Sequence, residues 1–565
     1  MGKISSYPAM TALQGSELIL GDQSGSTATT TPTAVAAYMA GLTTTPVIAS
    51  YARTAAEIAV GVTPTNYAYE PGNAMRYGFV GDNVTDDTAA LQTTFNVCQQ
   101  GLVARIPFTG TGEYKISGPL YFDGAGGIVM EGAPTARLML NGSGYTGLNI
   151  ATKAPTVITK LIVAVDGTPA TGAINGIAVG SPSTVGINLQ VSNVEYLFAQ
   201  YCAGFGIQIN KCWDCHFDSC HANYCGSSTE YAFQINNGDD TTNQSTWSKV
   251  QVEAATEKAV FIDQILECAI AQLHAERVNG TAGTPTHVLG GAGVSYGPIY
   301  VLGGTNTLLQ LTGTTCLFSG GINAGDSSVE FGTGNHEPFG YQTNYCFGVW
   351  ADTLTELSSD VGSWVFDGLT CSGAFTFQSG TFTVYVKNST LGPIVASQNN
   401  SECHFENCGI TGPWTISGTP VARIRGGSIT QFPGSQITLE LDQVTVSQAF
   451  TTGGFQIIRA RNCTFTGEVS FNGNSLDWRS DGCKFTAGAA YVAGSPGILF
   501  GPSDTFGVAI AAGYLTENPQ TAASDVSYSI GDVWWNKGVA AGGVPGAICT
   551  TAGAPGTWTN MASLA

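Results

Sequence analysis

Two glutamates and two histidines in the middle of the chain recur at intervals that stacked strands would bring to one surface. They are Glu253 in VEAAT, His274 and Glu276 in LHAER, and His221 in CHANY, with Glu195 of VEYLF upstream. In one register Glu195, His221, Glu253 and His274 form an outward column, at spacings of 26, 32 and 21 residues. Residues i and i+2 of a strand share a face, so Glu276 stands beside His274. Adjacent strands lie about 4.8 Å apart and two residues span about 6.7 Å, placing Glu253 and Glu276 roughly 8 Å apart on the diagonal. Carboxylates about 6.5–9.5 Å apart leave room for a water, as inverting glycoside hydrolysis requires. One protonated carboxyl donates to the leaving oxygen while the other carboxylate activates water. The neighbouring negative charge helps keep one of them protonated. His274 or His221 orients the pair or supplies a proton. Charged residues on a solvated β-face need no such role, and the register can shift by two.

The same zone offers groups to hold a sugar: Trp213, Trp247, Asp239, Asp240 and Arg277. Exposed aromatic rings can stack on sugars, although Trp is more often buried in a core or interface. The alternative chemistry is β-elimination from a uronate, which needs cations to neutralise the sugar carboxylate. Between Ser117 and Ile270 the basic residues are only Arg137, Lys153, Lys160, Lys211, Lys249 and Lys258, which favours hydrolysis. Cys212, Cys215, Cys220 and Cys225 contain one C-x-x-C, but the second interval does not match a paired zinc half-site, so buried thiols are expected. No cofactor and no metal are expected.

The elements that must position these residues are strands. Of 565 residues only 11% are charged and 74 are Gly, a mixture suited to turns and short strands. With 43% hydrophobic residues there is material for a core. A net charge of −20 argues against a nucleic-acid partner, and nothing suggests membrane insertion. The second half carries a period: Leu369/Cys371, Ser389/Leu391, Cys408/Ile410, Gly427/Ile429, Val444/Val446, Cys463/Phe465 and Cys483/Phe485. Successive pairs are 20, 19, 19, 17, 19 and 20 residues apart. A repeat of that size cannot bury its own apolar face and must stack on its neighbours. The leucine-rich signature is absent and a propeller blade needs about 40 residues, leaving a parallel β-helix. CHFDSC at 215–220 recurs as CHFENC at 403–408, as a solenoid would produce.

The run RYGFVGDNVTDDTAALQTTFNVCQQGLVARIPFTGTGEYKISGPL carries Gly78, Gly81, Asp82, Asp86, Asp87, Thr88, Pro107, Gly112 and Tyr114. This pattern resembles the opening of pectate-lyase-like β-helix proteins, among them many bacteriophage tail spikes and tail fibres. Asp86 or Asp87 can accept from the N–H groups of a helix start, and Ala89, Ala90, Leu91, Phe95 and Val97 then form an amphipathic helix that plugs the open end.

Taken together, the chain reads as all-β: a right-handed parallel β-helix over 71–504, a small attachment segment over 1–70 and a small β-module over 505–565. The segment with Ile4, Pro8, Leu13 and Glu17 is similar to head-binding segments of phage tail proteins, and the module with Gly531, Trp535, Pro545 and Trp558 resembles C-terminal modules of such proteins. The resemblance implies a homotrimer in the virion tail, joined to tail or baseplate proteins by its N-terminus. Its partner would be a bacterial surface polysaccharide, capsule or O-antigen, which it recognises and cleaves. A non-enzymatic receptor-binding fibre and a structural fibre share the same fold. Fifteen cysteines without a secretory leader fit folding in the reducing host cytoplasm.

Overall fold

The computed structural model describes residues 50–506, apart from short breaks in inter-strand loops, together with 18–21, 27–30, 533–535, 546–551 and 557–560. It is an all-β parallel solenoid. Its helices among the described residues are short and cluster at one end: Ala55–Ala59, the 3-10 turn Ala74–Tyr77 and Thr88–Cys98. None is long and apolar enough to cross a membrane.

The period read from the sequence is the stacking register. Cys371 pairs in parallel with Leu391, and the same column continues through Ile410, Ile429, Val446, Phe465, Phe485 and Phe506. All the members of this column whose side-chain burial is described point into the core and exclude solvent. Like residues therefore stack on like: Phe465 and Phe485 lie 4.8 Å apart with nearly parallel rings, as do Tyr296 and Phe318. Inward residues of one turn also meet across the core, as Phe366 and Phe375 do at 6.2 Å, and the turns above and below complete the burial.

A left-handed bend separates the half-strands of each turn. It is occupied by Asn388, Asn407, Gln443 and Asn462, with φ between 49° and 58°. Asparagine tolerates this region better than most residues, and here its side chains also bond between turns: Asn388 Nδ2 donates to Asp367 Oδ1 at 2.9 Å. In other turns the bend is glycine: at Gly426 and Gly482, φ 67° and 66°, an added Cβ would meet Asn407 Oδ1 and Asn462 Oδ1 of the turn below at 2.5 Å.

The capping helix Thr88–Cys98 buries Leu91, Thr94, Phe95, Val97 and Cys98 against the first turns, with Phe95 edge-on to Phe122. The two aspartates at its start divide the work. Asp86 accepts from the Thr88 backbone N–H at 3.0 Å, while Asp87 accepts from Val80 and Gly81 N–H and pins the preceding loop. Gly81 sits at φ 67° where a Cβ would meet Thr109 Oγ1, so the motif glycine is there for close approach. The segment from Tyr51 is tied to this cap. Buried Arg76 meets buried Glu57 at 2.5 Å, Tyr77 donates to Glu57 at 2.9 Å, and Arg76 also donates to the Tyr51, Ala52 and Tyr69 carbonyls.

Near the C-terminus, Val533–Trp535, Gly546–Thr551 and Thr557–Asn560 form an antiparallel three-stranded sheet. Most of the first 49 residues, Ile4, Pro8, Leu13 and Glu17 among them, lie outside the described residues.

Candidate functional site: a carboxylate and imidazole cluster on the solenoid wall

Three eight-residue strands, Asn193–Gln200, His216–Asn223 and Thr246–Glu253, stack in parallel and are followed by Leu273–Asn279. Their outward residues form two columns. The first is Phe198, His221, Gln251, His274 and Tyr300; the second is Gln200, Asn223, Glu253, Glu276 and Leu302.

This corrects the register expected from sequence. Glu253 is not in the histidine column, and Glu195 lies on the other half of its strand, flanked by Val194 and Tyr196. The cause is local. In each of the three strands two successive residues face outward: Glu195 and Tyr196, Asp218 and Ser219, Ser248 and Lys249. The doublet puts an odd step between Glu195 and the columns; Glu253 is outward but slipped by two, since Gln251 pairs with His221 and His274.

The corrected register brings the four acid–base residues closer. Glu253 and Glu276 are direct cross-strand partners. Arg277 touches both, its Nη2 standing 3.7 Å from Glu253 Oε2 and 3.3 Å from Glu276 Oε1. Those two oxygens therefore lie within about 7 Å of each other, around backbones one strand spacing of about 4.8 Å apart. The expected diagonal of roughly 8 Å does not occur. His221 Nε2 is 3.9 Å from Glu253 Oε1, and His274 Nε2 is 3.6 Å from Glu276 Oε2. The Gln251 amide donates to Glu253 Oε1. Neither histidine Nε2 has a hydrogen-bond partner among the described residues.

The surroundings differ for the two imidazoles. His221 packs edge-on to Phe198, with ring centres 4.7 Å apart, and burial pushes its pKa below the ordinary histidine value, partly countered by Glu253. His274 is more open and leans towards Tyr300. Arg277 occupies the left-handed bend at φ 55°, in the column of Tyr201, Tyr224 and Ala254. Tyr201 and Tyr224 stack 5.0 Å apart at the edge of the cluster.

The residues expected to hold a sugar fare unequally. Arg277 is part of the cluster. Trp247 is a correction: it points inward, is fully buried and stacks on Phe217 at 5.3 Å. The same outward doublet explains this, because Trp247 precedes it and takes the opposite phase. Trp213 is 39% exposed, but it lies on Cys212–Trp213, before the bend at Asp214 that leads into His216–Asn223. It is therefore at the far end of that strand from His221. Asp239 and Asp240 lie outside the described residues. Cys212, Cys215, Cys220 and Cys225 are buried, and Cys212, Cys215 and Cys225 approach backbone carbonyls.

Sequence reading overlooked a second surface. Further along the same wall an open groove of about 750 Å³ is lined by Tyr385, His404, Arg423, Glu440, Arg459 and Arg479, with a parallel column of Lys387, Glu406, Arg425, Asp442, Arg461 and Asp481. Five of the ten arginines of the chain stand here. The signal was present in the 17–20-residue period, which places Arg423, Glu440, Arg459 and Arg479 at one position of successive turns.

No family model matches the chain, and no curated protein matches it. Among solved structures it is similar to ORF18 of Geobacillus virus E2, at 14% identity over 70% of this chain and 68% of that one, with a TM-score of 0.37. A superposition that loose carries no argument about function.

Proposed function

We propose that this protein is a phage tail spike whose solenoid wall binds a bacterial surface polysaccharide and hydrolyses it at Glu253 and Glu276. One observation carries the reading: two outward carboxylates at the same position of adjacent turns, bridged by one guanidinium and each faced by an imidazole. The opening motif and the parallel solenoid supply the context of a tail spike, a homotrimer attached to the virion tail through its N-terminus. In this reading Glu253, held by the Gln251 amide, is the nucleophile. Glu276, beside His274, is the acid and then the base. Arg277 offsets the repulsion of the two carboxylates, and its exposed head can turn to a sugar hydroxyl or carboxylate.

Direct cross-strand pairing, on backbones about 4.8 Å apart, favours retaining hydrolysis, whose carboxyls stand about 5–5.5 Å apart, over the wider inverting arrangement. The test is incubation of the purified protein with a panel of capsules and O-antigens. Glu253→Gln and Glu276→Gln should each lower the appearance of reducing ends by about 100-fold or more. Proton NMR of the first product should show the anomer of the substrate linkage. Binding with no chain shortening by the unaltered protein would convert the reading to an adhesin.

A polysaccharide lyase on the same cluster is favoured by one observation. Burial disfavours the charged form of His221, whose buried Nε2 has no hydrogen-bond partner among the described residues, and Arg277 is at hand to neutralise a uronate. An unsaturated, ultraviolet-absorbing product would establish that chemistry in place of hydrolysis.

A further inference from the structure

We propose that the arginine-rich groove is a second glycan site, distinct from the carboxylate cluster, that holds an extended acidic polysaccharide along the solenoid axis with an acid group on every second sugar.

The track is continuous in register. Tyr345, Val365, Tyr385, His404, Arg423, Glu440, Arg459 and Arg479 follow one another at a single outward position of successive turns. Seven strand spacings make this roughly 34 Å long. Its first part is aromatic. Tyr345 is 45% exposed, and Tyr385 stacks on His404 at 4.5 Å, giving flat faces on which sugar rings can lie. Its second part is guanidinium.

Not all of those cations are satisfied within the protein. Arg423 is paired with Glu402 and Glu440, and Arg459 with Asp477 at 2.6 Å. Arg425 reaches Asp442 only at 3.9 Å with its side chain 71% exposed. Arg461 forms no ion pair among the described residues and is exposed. These two arginines flank Asp442 in one column, two turns apart, or about 10 Å. Guanidinium groups bind carboxylates and phosphates bidentately, so the pair can take two oxyanions at that interval. An extended sugar chain presents alternate residues on the same side at a similar repeat. Elsewhere a chain of net charge −20 repels such a polymer.

The experiment is isothermal titration calorimetry of the full chain with three probes: a hyaluronan decasaccharide, a glycerol-phosphate oligomer and a neutral dextran of matched length. Hyaluronan bears a carboxylate on alternate sugars, so it should bind at least about tenfold tighter than dextran, and the tightness should fall with salt. The phosphate arm separates uronate from phosphate-bearing wall polymers as the source of the acid. Arg425→Ala with Arg461→Ala should weaken the preferred acidic probe by about tenfold or more. Arg425→Gln with Arg461→Gln gives the same reading if the alanine pair lowers the melting temperature. Glu253→Gln with Glu276→Gln should bind as the unaltered protein does, so failure of the cleavage site does not count against the groove. The proposal is overturned if neither acidic probe exceeds dextran, or if the double variants bind unchanged. It is also overturned if they lower the oligomeric mass by light scattering while binding per chain holds, which would make this wall an interface between copies.

Discussion

Arg277 combines two conflicting demands in one residue, and they can be separated. Its backbone sits at φ 55°, where a residue other than glycine is disfavoured by about 1–2 kcal/mol, while its side chain contacts both carboxylates. The bend itself does not call for arginine, since Tyr201, Tyr224 and Ala254 occupy it in the preceding turns. Arg277→Gly should therefore keep or raise the melting temperature while lowering polysaccharide cleavage by about tenfold or more. Cleavage left intact by this change would remove Arg277 from the site. The residue scale is also where sequence reading was least secure. His221, Glu253, His274, Glu276 and Arg277 were all singled out, and all five meet. What could not be read was their pairing, because a slip of two residues leaves every side chain on its own face and so leaves the polarity pattern unchanged. Both outward columns are polar in these strands, so nothing in the sequence marks Gln251 rather than Glu253 as the partner of His221.

At the scale of the element, the cap and the central turns differ in their response to acid. The Glu57–Arg76 pair joins the helix Ala55–Ala59 to the 3-10 turn beneath the capping helix. Burial acts to raise the Glu57 pKa, but bonds from Arg76, Thr54 and Tyr77 outweigh it and hold the carboxyl at about 2. A depressed carboxylate stabilises the fold above its unfolded value, and that contribution is lost as pH falls towards 2. His287 behaves differently: fully buried, with Nδ1 on Thr286 Oγ1 at 2.8 Å, it is pushed down to about 3. Only the unfolded chain takes up its proton, so stability from this group declines as pH drops below about 6.5 and levels off near 3. Denaturant titrations at pH 7, 5 and 3 should thus find Glu57→Gln destabilised by about 3–5 kcal/mol at pH 7, with much of the gap to the native protein closing at pH 3. A gap that is the same at every pH would mean that the carboxylate charge contributes nothing.

For the whole molecule, fold was more legible than site because a solenoid writes its register into the sequence many times. The pairs from Leu369/Cys371 to Cys483/Phe485 predicted a column that the register reproduces member by member. A site is written once and has no such redundancy, and the arginine groove escaped notice because its residues alternate with acids and resemble a solvated face. The same one-dimensional order governs stability. Each turn touches only its neighbours, so a defect should remain local. Trp364 is fully buried among Phe318, Phe331 and Phe366, with ring centres 6.2, 5.7 and 5.9 Å away. Trp364→Ala should cost about 3–5 kcal/mol through the cavity it leaves. Hydrogen exchange should quicken in the turns carrying those three phenylalanines, and remain unchanged in Thr246–Glu253 and Leu273–Asn279, where the carboxylate cluster stands. Cleavage and exchange at the cluster are then independent readouts of a break in the middle of the stack. Exchange that accelerates uniformly along the chain would mean that the turns unfold as one cooperative unit, and that the core aromatic stack, rather than nearest-neighbour contact, sets the stability of the solenoid.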